Sequence, residues 1–352
     1  MRIAQIAPLA EAVPPKLYGG TERVVSWLTE ELVRQGHQVT LFASGDSETS
    51  AELVACAPSG LRLAGIQNHV ASHLVMLDKV RRRAADFDVL HFHIDLLQFA
   101  LFRNLAHKSV TTLHGRLDIP DFMPVFRAFP EMPLVSISDS QRAPMPPESN
   151  WIATIYHGLP PDICAFDPRG GDYLAFLGRI AREKRPDRAI EIARRTGIPL
   201  RIAAKVDPAD RDYFEREIKP LLEHPLVEFI GEIDESRKSD FLGRARALLF
   251  PIDWPEPFGL VMIEAMSCGT PVIAWRNGSV PEVVEDGLTG MVVESIEEAV
   301  QAVELASNLS RKAVRRRFEE RFTAARMARD YLAAYERLLR GDWAELWLAA
   351  AE

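Results

Sequence analysis

Residues 173–204 read YLAFLGRIAREKRPDRAIEIARRTGIPLRIAA. A β-rich run at 173–177 is followed by a glycine and a basic loop, a helical pattern at 186–196, and a second β-rich run at 200–204. Strand, helix and strand in that order predict a βαβ unit in a parallel sheet. The alternation continues with a helix at 211–222, a strand at 227–230, a helix at 238–245, a strand at 247–251, a helix at 260–268 and a strand at 271–274. Toward the N-terminus the texture is the same. RIAQIAP at 2–8 reads as a strand, and residues 21–35 place Val24, Val25, Leu28, Leu32 and Val33 on one stripe of a helix. Gly36 stops that helix before the next strand, QVTLFA at 38–43. Further strands are expected at 89–92, 110–113, 134–137 and 152–155. Between the two series lies FDPRGGD, 166–172, a turn-rich stretch expected to be the linker. The fold class is therefore α/β with two Rossmann-like domains, residues 1–165 and 166–335. The tail, 318–351, reads as helix, with Tyr331, Tyr335, Leu338, Leu339, Trp343 and Trp347 as its core-facing stripe.

The bulk properties narrow the function. Over 352 residues the formal net charge is -8, with 47% hydrophobic and 26% charged residues, an ordinary globular composition. No overall basic field exists to attract nucleic acid. The local runs Arg81-Arg82-Arg83 and Arg315-Arg316-Arg317 read as solvated helix faces, with peripheral contact to a membrane as the other option. Cys56, Cys164 and Cys268 form no CxxC pair, which argues against a zinc site or a disulfide framework. The N-terminal stretch lacks a signal-peptide core and no run reaches a spanning length, so the expected compartment is the cytoplasm.

Several loops carry chemistry. Gly19 and Gly20 lie between the first strand and first helix, where backbone can approach a bound group and a helix N-terminus favours an anion, although plain turn geometry explains such a pair equally well. Neither GxGxxG nor GxxxxGK[ST] occurs, which weakens dinucleotide and P-loop readings. His91, His93 and Asp95 alternate at a strand end and could share a face; a polar rim is the simpler reading, a metal the other. His114 also follows a strand, where α/β sheets place ligands; a cleft residue is the favoured reading and a structural histidine the other. Arg179 and Lys184 stand in the basic loop before the 186–196 helix, and their donors suit a diphosphate, a plain solvated loop being the other reading. Glu256 and Glu264 span a loop-to-helix junction in PEPFGLVMIEA, 255–265. Amides of Phe258, Gly259 and Leu260 there suit phosphate or sugar oxygens, and two carboxylates can accept from the hydroxyls of a polyol. A glycosidase acid/base pair competes chemically but has no use for the basic loop.

The stretch EPFGLVMIEAMSCGTPVIA (256–274), followed by GSVPEVVEDGLTG (278–290), strongly resembles the donor-site signature of the retaining glycosyltransferases of family 4. YGGTERV (18–24), DVLHFH (88–93), TLHG (112–115), the LGRI…EK loop and IGEI (230–233) match in family order. The resemblance implies the GT-B architecture: an acceptor-side domain (1–165) and a nucleotide-sugar donor domain (166–335) facing across a cleft, with the last helix, about 336–352, crossing back to the first. It implies that Glu264 holds the donor ribose and Glu256 the transferred sugar, with the amides of Phe258, Gly259 and Leu260 by sugar and phosphate. Arg179 and Lys184 would neutralise the diphosphate, Gly19 and Gly20 would approach it, His114 would lie near the reaction centre, and Ile233 would meet the base. Neither cofactor nor metal is expected, the NDP-sugar being a co-substrate.

Two stretches depart from the family pattern. Arg185-Pro186 follows Lys184 where the family usually has glycine, and His157-Gly158-Leu159-Pro160 replaces the usual Asn-Gly-Val-Asp. Residues 116–150 are where acceptor differences are expected. The resulting expectation is transfer of a hexosyl group from an NDP-sugar to an acceptor hydroxyl, on a glycan, a lipid-linked glycan or a small metabolite, with retained anomeric configuration. A sugar-nucleotide epimerase, a phosphorylase and a non-catalytic nucleotide-sugar or glycan-binding protein are the alternatives.

Overall fold

The computed structural model describes residues 1–16 and 19–341. Leu17, Tyr18 and the expected helix residues beyond 341, Trp343 and Trp347 among them, lie outside the described residues. Contacts divide the chain into two units. One is Met1–Gly158 together with the chain from Ala324 onward, and the other is Leu159–Thr323.

The first unit runs β1 (Arg2–Ile6), α1 (Gly20–Arg34), β2 (Gln38–Ser44), β3 (Glu52–Ala57), α2 (Val70–Arg82) and β4 (Val89–Phe92). It continues through the short α3 (Phe99–Phe102), β5 (Ser109–Thr112), α4 (Met123–Ala128), β6 (Leu134–Ser136) and β7 (Trp151–Thr154). Its seven strands lie in the order β3-β2-β1-β4-β5-β6-β7, every pairing parallel. Strands buried on both faces read as continuous apolar runs, and β1, β2, β4 and β5 are buried along most of their length. In α1 the stripe Val24, Val25, Leu28 and Leu32 is buried. Gly36 just beyond it takes φ 86°, which a residue with a Cβ reaches only with strain. The unanticipated β3 is an edge strand. Glu52 and Ala55 face water, and its edge position leaves the apolar run LVACA only partly buried.

The second unit contains β8 (Tyr173–Arg179), α5 (Pro186–Thr196), β9 (Leu200–Lys205), the short α6 (Arg211–Tyr213), β10 (Val227–Gly231), α7 (Glu235–Gly243) and β11 (Ala245–Phe250). After these come α8 (Leu260–Ser267), β12 (Val272–Trp275), α9 (Val280–Val283), β13 (Gly290–Val293), α10 (Ile296–Ser307) and α11 (Arg311–Arg321). The strand order is β10-β9-β8-β11-β12-β13, again parallel. Pro186 opens α5, where its missing N–H costs nothing, and Gly197 closes it at φ 69°. In both sheets the order runs outward from the first strand and then reverses to the fourth. The gap at the carboxyl ends of those two strands is where open α/β sheets bind ligands.

Three expectations are corrected by tertiary structure. Residues 211–222 do not form one helix: α6 passes into a π-helical turn, Phe214–Ile218, and then a 3-10 turn, Lys219–Glu223, because Pro220 cannot supply a helical N–H. Over its described residues the tail is divided between two helices, α11 and α12 (Ala324–Arg340), separated at Phe322 and Thr323. The Phe322 carbonyl accepts from the Leu159 amide at 2.9 Å and its ring packs edge-on to Phe258, so packing overrides local helix propensity. The turn-rich 166–172 stretch lies within the second unit. Arg311 Nε donates to the Asp167 carbonyl at 2.7 Å, and a Cβ on Gly171 would stand 2.0 Å from the Arg244 carbonyl oxygen.

Candidate functional site

In the second unit the reversal of strand order lies between β8 and β11, and the loops leaving these strands hold most of the residues singled out by sequence. Arg179 ends β8, and a 3-10 turn (Arg182–Lys184) leads to Arg185 at φ 52°. This left-handed position explains why glycine suits it. Here the Arg185 side chain clamps the bend, with guanidinium contacts to Asp187 at 2.7 Å and Asp253 at 2.8 Å.

Lys184 reaches across to the loop after β11 and pairs with Glu256, whose carboxylate also accepts from Trp254 Nε1 at 3.0 Å. The ammonium lies 4.8 Å from the Trp254 ring centre and 5.7 Å from that of Phe250, so aromatic faces share the stabilisation of the cation. The pair is largely withdrawn from water, with 19% of the Lys184 side chain and 11% of the Glu256 side chain exposed. Glu256 is held by its backbone too: its carbonyl accepts from the Ser279 amide at 2.9 Å, and the hydroxyl of Ser279 donates to the Phe258 carbonyl at 2.9 Å. Gly278, at φ 58°, makes this close approach possible, since a Cβ there would sit 2.3 Å from the Glu256 nitrogen.

Gly259 caps α8 at φ 78°, and the helix starts at Leu260. One turn in, Glu264 is only 6% exposed and accepts from Lys238 Nζ at 2.8 Å; Lys238 also meets Glu235 at 3.3 Å. Arg179 pairs with Glu183 and lies 3.6 Å from Asp207 and 3.5 Å from Asp210. Burial raises the Asp210 carboxyl, with the Arg179 charge opposing it. Ile233 sits buried just past β10. Two lysine–glutamate pairs, a triad of acids around Arg179 and a helix N-terminus thus gather at the strand reversal. The arrangement has cations for an anionic leaving group and carboxylates for hydroxyls.

In the first unit, Gly19 caps α1 and Gly20 is its first residue. A Cβ on Gly19 would come 2.8 Å from the Pro15 side chain and 3.1 Å from Glu22 Oε2. Glu22 is buried, which raises its carboxyl above the ordinary range. His91 and His93 come together at the end of β4, ring centres 4.0 Å apart, and the Asp95 backbone beyond them takes a left-handed φ of 56°. His93 Nδ1 lies 2.8 Å from His114 Nε2, and the His114 ring stacks on His157 at 5.3 Å. Desolvation holds all four imidazoles neutral, His114 pushed down to about 3.

Sequence comparison adds the decisive finding. The profile of "Glycosyl transferases group 1" matches residues 167–323, and that of "Glycosyltransferase Family 4" matches residues 18–132. The chain is a family 4 glycosyltransferase. The phosphatidyl-myo-inositol mannosyltransferase of Mycobacterium leprae is 28% identical, over 90% of either chain. The sucrose-phosphate synthase of Thermosynechococcus elongatus superposes with a TM-score of 0.77 at 19% identity, covering 97% of this chain and 100% of the other. The Anabaena protein HepE, solved with UDP and glucose, superposes with a TM-score of 0.70 at 16% identity, covering 96% and 99%. These likenesses place the fold in the GT-B class.

Lys238, Trp254, Asp207 and Asp210 of this glycosyltransferase partner Glu264, Glu256 and Arg179 but stand outside the sequence motifs. Lys238 and Glu264 lie on different helices 26 positions apart, and only the three-dimensional path of the chain joins them. Trp254, two residues before Glu256, had a local signal: an aromatic N–H beside a motif carboxylate.

Proposed function

We propose that the protein transfers a hexosyl group from an NDP-sugar to an acceptor hydroxyl, with retention at the anomeric carbon and without a metal ion. The observation that carries this reading is the Lys184–Glu256 pair, held beside the N-terminus of α8 at the strand reversal of the second unit. In transfer, the bond from the anomeric carbon to the donor's terminal phosphate oxygen breaks and a bond to the acceptor oxygen forms. The acceptor proton passes to the departing phosphate. Charge develops on the diphosphate, and fixed cations aimed at it stabilise the transition state more than the ground state. Lys184 and Arg179 fill that role, with the α8 N-terminus adding its partial positive charge. Both cations have carboxylate partners in this structure, so a bound diphosphate would share or displace those contacts. Glu256, freed from part of its hold on Lys184, accepts from hydroxyls of the transferred sugar. Glu264, oriented by Lys238, accepts from the ribose. Ile233 supplies an apolar contact for the base, while Gly19, Gly20 and His114 serve diphosphate and sugar, roles that rest on the family resemblance.

The two relatives guide the choice of substrates: HepE was solved with UDP, and the mycobacterial enzyme is named for phosphatidyl-myo-inositol. The test is incubation with UDP-, GDP- and ADP-sugars in EDTA, with inositol, phosphatidylinositol and oligosaccharide acceptors. The reading expects one donor to give a glycoside whose anomeric coupling in NMR matches that of the donor. An inverted product, a strict requirement for added metal, or donor epimerisation without transfer would contradict it.

A further inference from the structure

The first unit contains a continuous hydrogen-bonded chain that ends on His114. Gln5 on β1 stands in register with His91 on the neighbouring β4, and both face α12. Tyr331 and Tyr335, one helical turn apart on α12, close the chain from that side. The Gln5 amide nitrogen donates to Tyr335 Oη at 3.3 Å, and its oxygen faces His93 Nε2 at 2.8 Å. His91 bridges Tyr335 Oη and Thr112 Oγ1, each at 2.7 Å, and Thr112 meets Tyr331 Oη at 2.9 Å. Gln5, His91, Thr112 and both tyrosines are fully buried, and His93 nearly so.

Donor and acceptor logic then propagates along the chain. An amide oxygen only accepts, so His93 Nε2 carries the proton. Burial keeps His93 neutral, which leaves its Nδ1 a bare lone pair. That lone pair takes a hydrogen from His114 Nε2, 2.8 Å away. His114 is neutral as well, so its own Nδ1 is left bare. This atom is buried and has no hydrogen-bond partner among the described residues. A buried polar atom without a partner is uncommon and calls for an explanation. An unmet acceptor beside a relay of satisfied groups fits a ligand hydroxyl.

We propose that Gln5 and His93 are positioning residues that hold His114 in its Nε2–H tautomer, so that its Nδ1 lone pair accepts a hydrogen bond from a hydroxyl of the bound sugar. The ligand in this statement rests on the glycosyl-transfer reading; the tautomer does not. Histidine here works as a fixed acceptor rather than as an acid. The relay is completed by α12, the helix that re-enters the first unit at the end of the chain.

The test uses the full chain with 15N-labelled histidine, and imidazole 15N shifts read at neutral pH. The His114 signals are assigned by their loss in His114→Gln. The expected result is a protonated Nε2 and an unprotonated Nδ1 in the wild type. Gln5→Met and His93→Leu should move both shifts toward the average of two exchanging tautomers. His93→Asn, whose amide oxygen can occupy the Nδ1 position, should restore the wild-type pattern. In the transfer assay His93→Leu should lower kcat about ten-fold, the worth of one neutral hydrogen bond, with KM changed less. His93→Asn should recover most of that loss. A protonated Nδ1 in the wild type, a tautomer indifferent to both variants, or an unchanged kcat in His93→Leu would overturn the proposal. If the wild type transfers no sugar at all, the functional reading fails on the assay while the tautomer is still decided by the shifts.

Discussion

Lys184 places a cation where little water reaches it, against one carboxylate and two aromatic faces. Removing one member of such a pair strands the other, at a cost of about 3–5 kcal/mol when burial is deep. Lys184→Ala should therefore reduce turnover about 10²–10³-fold, the size of effect seen when one fixed donor to a developing charge is lost. Initial rates at saturating donor measure it, and a loss smaller than three-fold would remove Lys184 from the leaving-group site. Gly278 makes a separate prediction. Its Cβ-bearing replacement Gly278→Ala would collide with the Glu256 backbone at 2.3 Å and strain a φ of 58°. Overpacking and backbone strain together should cost about 3 kcal/mol or more in urea unfolding. Gly197→Ala, with a similar φ but open space around it, should cost only about 1 kcal/mol. At this scale Lys184, Glu256 and Glu264 were legible because each sits in a short motif at a strand or helix end. Their partners Lys238, Asp207 and Asp210 were not, because pairing depends on which crossover lies beside which.

The elements show the same division. Helix α5 falls at 186–196 from its proline and periodicity alone. The apolar stripe of the tail also held for Tyr331, Tyr335 and Leu338, all buried, whereas Leu339 is 43% exposed. The break before α12 was hidden, since nothing in RFTAAR forbids a helix. It exists because Phe322 and Thr323 are held by Leu159. Edge strands β3 and β13 were also hidden: both are short, mostly apolar runs, ELVACA and GMVV, that are only partly buried and carry no alternation to separate strand from helix. Tyr335→Phe tests what α12 contributes beyond apolar area. It deletes the hydroxyl shared by Gln5 and His91 and leaves two buried polar atoms short of a partner. Thermal or urea unfolding should show a loss of about 1–3 kcal/mol; no loss would mean that the relay does not stabilise the helix.

For the whole molecule, four buried imidazoles couple folding to pH. His91, His93, His114 and His157 are held neutral by desolvation, His114 down to about 3, whereas the unfolded chain protonates its histidines near 6.5. Between those values the unfolded state binds more protons, so stability falls as pH falls. The effect is absent above about pH 7 and starts near 6.5, each group adding a slope that approaches about 1.4 kcal/mol per pH unit. The melting temperature should therefore drop steeply from pH 7 to 5.5, and His91→Gln should flatten the curve; an unchanged slope in that variant would contradict the assignment. The central claim concerns the second unit as a nucleotide-sugar site, and calorimetric titration with UDP, GDP and ADP in EDTA tests it most directly, on the wild type, Glu264→Ala and Lys184→Ala. The account predicts micromolar binding of one nucleotide, weakened about ten-fold or more in both variants, the worth of one charge-assisted hydrogen bond. No binding of any nucleotide by the folded wild type, or equal binding by all three proteins, would contradict it.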